Sequence, residues 1–172
     1  MSLRPDYVNP TRRLAVLWEQ TMEAPMTEPT AQVSREVDAP VDEVWRALTT
    51  PKTVRSFFFG AEVDSDFRVG SPIRFKGEFK GKPYEDKGKI LAAEAGRRLS
   101  FSHYSPRSGA PDTPASYHVV TYELTPRGEA TEVTLTQSNL EGGVKPSDLE
   151  HRAEYEKNWS AVLDGLSKAV AH

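Results

Sequence analysis

Hydrophobic residues recur at helical spacing over the last part of the chain, from Ser147 to Ala171. Six of them fall on one stripe of a helical wheel: Tyr155, Trp159, Val162, Leu163, Leu166 and Val170. The opposite face carries charged and small residues, so the pattern predicts a long amphipathic helix. Ser147 as N-cap with Glu150 three residues later is a capping-box arrangement, with Pro146 just outside the helix. A stripe this apolar needs a large apolar surface to pack against, and the preceding segments are the candidates.

From about residue 61 to residue 138 the hydrophobic period changes from that of a helix to that of strands. Over residues 73–80 uncharged residues alternate with charged ones, and a turn is expected directly afterwards, at Gly81-Lys82. The inward-facing positions are expected to be Ile73, Phe75, Gly77, Phe79, Tyr84, Asp86, Gly88, Ile90, Leu99, Phe101, His103, His118, Val120, Tyr122, Leu124, Val133, Leu135 and Gln137. Such alternation predicts hairpin-linked antiparallel strands with one apolar face. The proline-rich segment 105–115 is expected to be a loop.

Residues 32–60 predict one strand followed by two short helices. The strand is expected over 32–38, where Val33, Arg35 and Val37 alternate with polar residues. Pro40 suits the first position of one helix, and Pro51 opens a second helix that runs to the cluster 57–59 and ends at Gly60. An α+β fold, with a curved antiparallel sheet wrapped around the long C-terminal helix, buries both apolar surfaces.

Residues 1–30 are expected to be an extension to a domain that spans residues 31–172. Leu14, Leu17, Trp18 and Met22 recur at helical spacing and predict a short amphipathic helix, followed by a proline-punctuated linker. This helix can dock on its own domain, fray, or contact the partner subunit of a homodimer.

Composition narrows the range of partners. The 22 basic and 25 acidic residues give a formal net charge of −3, which argues against a nucleic-acid partner. The chain has no cysteine, so disulfides and thiolate metal sites are excluded. No run approaches the ~20 apolar residues of a membrane span. We expect a cytoplasmic protein without a cofactor.

The order of the predicted elements, with several local motifs, resembles START-like (helix-grip, SRPBCC) domains. The motifs are Ala39-Pro40 before the first helix, Trp45 within it, Pro51 opening the second, Phe57-Phe58 at its end, and Asn158-Trp159 in the last helix. The resemblance covers about Ala31 to Ala171 and is strongest to the subgroup similar to the activator of heat-shock-protein-90 ATPase. It implies one of three functions: binding of a small apolar or aromatic ligand, a co-chaperone-like contact with a chaperone, or a polyketide cyclase or hydrolase activity.

The resemblance implies a ligand site between the sheet and the last helix. Its apolar lining is predicted to be Phe75, Ile90, Phe101, Tyr122, Leu135, Trp159, Val162 and Leu163. The same side chains can instead form a filled core, stabilised by the removal of apolar surface from water. Large residues at many inward positions favour a filled core, whereas Gly77, Gly88 and Ala92 favour open space.

Several polar residues fall at inward positions, where a polar side chain needs a partner or water. They are Arg35, Asp86, His103, His118 and Gln137 on the strands, and Asp148, Arg152 and Glu156 on the stripe of the helix. Either the first two helical turns extend beyond the sheet into solvent, or Arg152, His103 and Asp86 line the wet end of a ligand cavity. His103 and His118 can meet on neighbouring strands, but without a third ligand a metal site is not expected. His103 as a general base oriented by Asp86 is the catalytic alternative.

Overall fold

The computed structural model describes residues 28–170, and the helix predicted around Leu14 to Met22 lies outside them. The described chain folds into a seven-stranded antiparallel sheet, two short helices and one long helix. The strands are β1 (Ala31–Val37), β2 (Glu62–Asp64), β3 (Pro72–Phe79), β4 (Lys82–Glu94), β5 (Arg98–His103), β6 (His118–Arg127) and β7 (Ala130–Asn139). The helices are α1 (Val41–Leu48), α2 (Pro51–Phe57) and α3 (Pro146–Val170). None of these helices is long and apolar enough to cross a membrane.

The curved sheet grips α3 on its concave face, which confirms the predicted α+β helix-grip fold. Its strand order is β1-β7-β6-β5-β4-β3-β2, so the first strand pairs with the last. All other neighbouring strands in the sheet are consecutive along the chain, and each of these pairs is antiparallel. α3 packs against β1 at one side of the concave face and against α2 at the other. The alternating apolar residues of the strands and the stripe of α3 therefore meet in one core.

The second half of α3 is buried in this core. Val162, Leu163 and Leu166 are at most 1% exposed, and Val170 is also buried. Gly165 lets α2 approach closely, because a Cβ at this position would lie 2.9 Å from Cβ of Phe57. The last three turns of the helix are thus held by apolar packing.

The start of α3 differs from the capping box that the sequence predicts. The helix begins at Pro146, one residue before the predicted N-cap Ser147. Oδ2 of Asp148 accepts hydrogen bonds from the backbone N–H of Lys145 and from Nδ2 of Asn139, both at 2.8 Å. Proline suits the first helical position because it has no N–H to satisfy, and the Asp148 carboxylate supplies the cap. The Ser147–Glu150 prediction is therefore wrong.

Three smaller expectations about the sheet are also corrected. The turn between β3 and β4 is Lys80-Gly81, one residue early, because both residues adopt positive φ angles (51° and 77°) as a tight hairpin turn requires. Phe79 is 54% exposed, since it lies at the end of the β3–β4 hairpin, beyond the pairing of β4 with β5. Arg35 is exposed as well, because edge strand β1 places it beside α3, where it pairs with Asp164.

Candidate functional site

The apolar residues predicted to line a ligand cavity are packed against one another. Seven of them are at most 3% exposed: Phe75, Ile90, Phe101, Tyr122, Leu135, Val162 and Leu163. Trp159 is partly buried and packs against the same cluster. The void bordered by Phe75, Phe101 and Tyr122 has a volume of about 10 Å³. A space of this size is too small for an organic ligand, so this part of the interior is a filled core.

Aromatic side chains border this core where it approaches the first half of α3. Phe58, just after α2, stacks on Phe75 with ring centroids 4.9 Å apart and lies 5.9 Å from the ring of Trp159. The rings of His103 and Phe75 are arranged edge to face, with their centroids 5.7 Å apart. Phe58 was not among the predicted site residues, although its place in the Phe57–Phe59 cluster was a usable signal. It bridges the strands and the helix at the end of the dry core.

Beyond Phe75 lies a group of polar side chains that we call the polar cluster: Asp86, His103, His118 and Tyr155. Nε2 of His103 lies 3.1 Å from Oδ2 of Asp86. His103 and His118 are direct cross-strand partners of β5 and β6, as the sequence predicts. The ring of Tyr155, on α3, lies 6.3 Å from that of His118. Asp86 is buried, whereas the other three side chains are partly exposed.

The carboxylate of Asp86 is only half satisfied. Its Oδ2 contacts His103, but its buried Oδ1 has no hydrogen-bond partner among the described residues. A buried polar atom without a partner costs about 1–3 kcal/mol, and folded proteins contain few of them. Asp86 therefore retains an unused acceptor next to partly exposed aromatic and imidazole rings.

The two titrating rings that face each other in the polar cluster are both held neutral near pH 7. Burial, and to a smaller extent His103, lowers the pKa of His118 below its ordinary value. Burial, together with the charges of Asp148 and Glu154, raises the pKa of Tyr155. A neutral imidazole and a protonated phenol can each donate or accept a hydrogen bond.

Trp159 is fixed beside the polar cluster by a hydrogen-bonded chain. Its Nε1–H donates to Oε1 of Gln137 at 2.8 Å, and Nε2 of Gln137 donates to Oγ1 of Thr30 at 3.0 Å. Gln137 and Thr30 are both buried. The sequence indicates Gln137 as an inward polar residue, and the structure supplies its partners. The indole is therefore oriented by directed bonds as well as by packing.

The hydrogen bonds of Arg152 go to the segment before β1 and not to His103 or Asp86. Its guanidinium donates to the carbonyl oxygens of Thr30 at 3.0 Å and Pro29 at 3.1 Å. The predicted group of Arg152, His103 and Asp86 is wrong, because the helix turns Arg152 toward the start of β1. The alternative, in which the first two turns of the stripe extend into solvent, is wrong at Asp148, which is 4% exposed, and Arg152 and Glu156 are partly buried.

A side chain of α3 that does lie beside His118 is Tyr155, one turn before Trp159. It belongs to the predicted apolar stripe, but its place beside His118 was not predicted. Tyr155 and Trp159 are four residues apart and therefore lie on one face of the helix, and this spacing was the signal that Tyr155 also faces the sheet. Within residues 28–170 no group of three or more histidines or carboxylates could hold a metal ion.

Comparison with protein families gives a match over residues 38–171, to the family described as activator of Hsp90 ATPase homolog 1-like protein. The chain belongs to this family. The comparison with curated proteins finds no match.

Several solved structures share the fold. The solution structure of ChR145 from Cytophaga hutchinsonii is 44% identical, with a TM-score of 0.65, over 80% of this chain and 90% of that one. CalU16 from Micromonospora echinospora is 27% identical, with a TM-score of 0.61, over 81% of this chain and 74% of that one. The Aha1 dimer from Colwellia psychrerythraea is 19% identical, with a TM-score of 0.61, over 81% and 94% of the two chains. This last likeness shows the fold alone.

Proposed function

We propose that this family member binds a small aromatic or apolar molecule at the polar cluster, with a hydroxyl or amine of the ligand directed at Asp86. The observation that carries the proposal is the buried Oδ1 of Asp86, which has no partner among the described residues. A donor from a ligand removes that cost, whereas a carboxylate group would be repelled by Asp86.

The surroundings of Asp86 support the same class of ligand. His103, His118, Tyr155 and Trp159 are partly exposed rings on two strands and one helix, and they offer apolar faces with few polar groups. The packed interior leaves only about 10 Å³ beside Phe75, so the ligand is placed at the end of the core. Phe58, stacked between Phe75 and Trp159, forms the boundary on the core side.

A matched pair of probes tests this proposal. We expect 2-naphthol to bind the full chain saturably and 2-methoxynaphthalene, which lacks the donor, to bind about tenfold more weakly, as one lost hydrogen bond predicts. The readout is backbone and indole N–H chemical shifts, which are expected to move for His103, His118 and Trp159. Asp86→Asn is expected to remove the preference for naphthol, whereas the exposed control Asp64→Asn keeps it. Equal affinity for both probes, or no saturable shift, would reject the proposal.

A hydrolase or cyclase activity is the second candidate, and the Asp86–His103 hydrogen bond favours it. A carboxylate that holds one ring nitrogen of a histidine orients the imidazole as a general base, and His103 is partly exposed to a substrate. The test is turnover of 2-naphthyl acetate above the buffer rate. His103→Gln is expected to abolish it and His151→Gln to leave it unchanged. Equal rates for protein and buffer would count against catalysis on this ester.

The co-chaperone alternative remains supported by the name of the family. A homodimer through the N-terminal helix depends on residues outside the described range, and a cytoplasmic location remains an expectation. Pull-down with a chaperone, and sizing of the chain with and without residues 1–25, are the corresponding tests.

A further inference from the structure

A second hollow lies between the β3–β4 hairpin and the segment that follows β5. It has a volume of about 630 Å³, and its lining includes Tyr84, Tyr104 and Arg107. Its lining includes none of the four side chains of the polar cluster, although Asp86 is near enough to raise the pKa of Tyr84. The segment after β5 was expected only to be a loop.

Arg107 is the unusual group in this hollow. Its guanidinium lies 4.1 Å from the ring centroid of Tyr84 and 5.0 Å from that of Phe79. Among the described residues it has no carboxylate partner, whereas Arg74 lies 3.6 Å from Glu85 and Lys87 lies 2.5 Å from Asp112. Stacking uses the face of the guanidinium and leaves its N–H edge free. The hollow thus contains one positive charge in excess, on a planar group already held in place.

Tyr84 is itself positioned by the strand beneath it. Its cross-strand partner is Gly77, and a Cβ at Gly77 would lie 2.6 Å from the Tyr84 hydroxyl. The absence of a side chain at Gly77 thus leaves room for the Tyr84 ring in its present position over β3. Burial, and then the charge of Asp86, raises the pKa of Tyr84, whereas Arg107 opposes this shift; the hydroxyl stays protonated near pH 7 and can donate a hydrogen bond.

The wall that carries Arg107 is also pre-formed. The Tyr104 hydroxyl donates to the carbonyl oxygen of Ala110 at 2.6 Å, and its ring stacks on Tyr117 at 5.2 Å. Hydrogen bonds from Lys87 and then Tyr117 hold the pKa of Asp112 below its usual value, so the Lys87–Asp112 pair stays ionised. Little reorganisation is needed for a ligand to enter, which favours binding.

We propose that this hollow binds a small aromatic carboxylate. Its carboxylate lies on the N–H edge of Arg107, and its ring lies against the other side chains that line the hollow. A guanidinium edge matches the two oxygens of a carboxylate in geometry. The excess of one positive charge suits a monoanion, because a second negative charge would face Glu85 and Asp112. The Tyr84 hydroxyl can donate a hydrogen bond to the same ligand.

The experiment titrates the full chain with 2-naphthoate and with its neutral counterpart 2-naphthamide, followed by backbone N–H chemical shifts. We expect naphthoate to shift Tyr84, Lys87 and Arg107 and naphthamide to bind about tenfold more weakly. Arg107→Gln is expected to weaken naphthoate binding about tenfold or more. Arg107→Lys keeps the charge but loses the planar fork, and it is expected to weaken binding several-fold.

Arg127→Gln, on the β6–β7 hairpin, is the matched control and is expected to bind naphthoate as the parent chain does. Unchanged affinity in Arg107→Gln would overturn the proposal, as would the absence of a saturable shift. Shifts confined to His103 and Trp159 would also overturn it, because they would assign the anion to the polar cluster. The naphthol titration above uses a different site and probe, so the two proposals can fail independently.

Discussion

The two halves of α3 are held to the same sheet by different forces. From Val162 to Val170 the helix presents apolar side chains that are almost completely buried. From Pro146 to Trp159 it is held by directed bonds, which include the Asp148 cap and the Trp159–Gln137 hydrogen bond. The first half also carries Tyr155, whose ring lies beside His118 in the polar cluster. One helix thus combines a dry half that supports the fold with a polar half that borders the candidate site.

This difference between the two halves of α3 indicates where a ligand can bind with little loss of folding stability. Each apolar side chain of the dry half contributes roughly 1.5–3 kcal/mol by leaving water, and space for a ligand there would sacrifice that stabilisation. Side chains of the polar half are oriented by hydrogen bonds, and their rings remain partly exposed. A ligand can contact them without opening the core.

The largest effect is expected from truncation of the dry half. Leu166→Ala removes a side chain that is 0% exposed and leaves a cavity, so we expect a loss of about 2–5 kcal/mol in the free energy of unfolding. Urea denaturation measures this loss. Leu149→Ala is the control on the polar half: Leu149 is 58% exposed, and the change is expected to stay within about 0.5 kcal/mol. Equal losses in both variants would abolish the distinction between the halves.

A smaller effect is expected from the cap that starts the polar half. Asp148→Ala leaves the buried Nδ2 of Asn139 and the N–H of Lys145 without this acceptor, at a cost of about 1–3 kcal/mol. Ser147→Ala is expected to cost much less, because the cap is the Asp148 carboxylate. Thermal or urea denaturation of both variants decides between them. A larger loss for Ser147→Ala would restore the capping box predicted from the sequence.

The smallest effect concerns pH and His118. Since burial lowers its pKa below 6.5, the unfolded chain binds this proton more readily than the folded state. Stability is therefore expected to fall as the pH drops below about 6.5, and this contribution levels off below the folded pKa. The nearby charges of His103 and Lys145 act in the same direction, whereas Asp148 opposes them.

Urea midpoints between about pH 7.5 and pH 5 measure this dependence. His118→Gln is expected to flatten the curve relative to the parent chain, and His151→Gln, an exposed residue of α3, to leave its slope unchanged. Parallel curves for the parent chain and His118→Gln would show that His118 does not contribute to the pH dependence of stability.

Period-two and helical patterns predict the fold well because burial alternates with them. Ile73, Phe101 and Leu135 lie where their spacing places them, and even the His103–His118 pairing follows from strand register. The partner of a long polar side chain is not encoded in spacing. Arg152 and Tyr155 are three residues apart on one helix, yet the first binds carbonyl oxygens just before β1 and the second lies beside β6. Whether the inward-facing aromatic rings fill the interior or leave a cavity also depends on how they pack together. The spacing of hydrophobic residues along the sequence does not specify this packing.

The most direct measurement is the set of intermolecular nuclear Overhauser effects between 2-naphthol and the full chain. Binding at the polar half predicts contacts from the naphthol ring to Tyr155, Trp159 and His118, and none to Leu135 or Leu163. Contacts to Leu135 and Leu163 would mean that the core opens to admit the ligand. That result would contradict the division of α3 into a dry half that supports the fold and a polar half that binds.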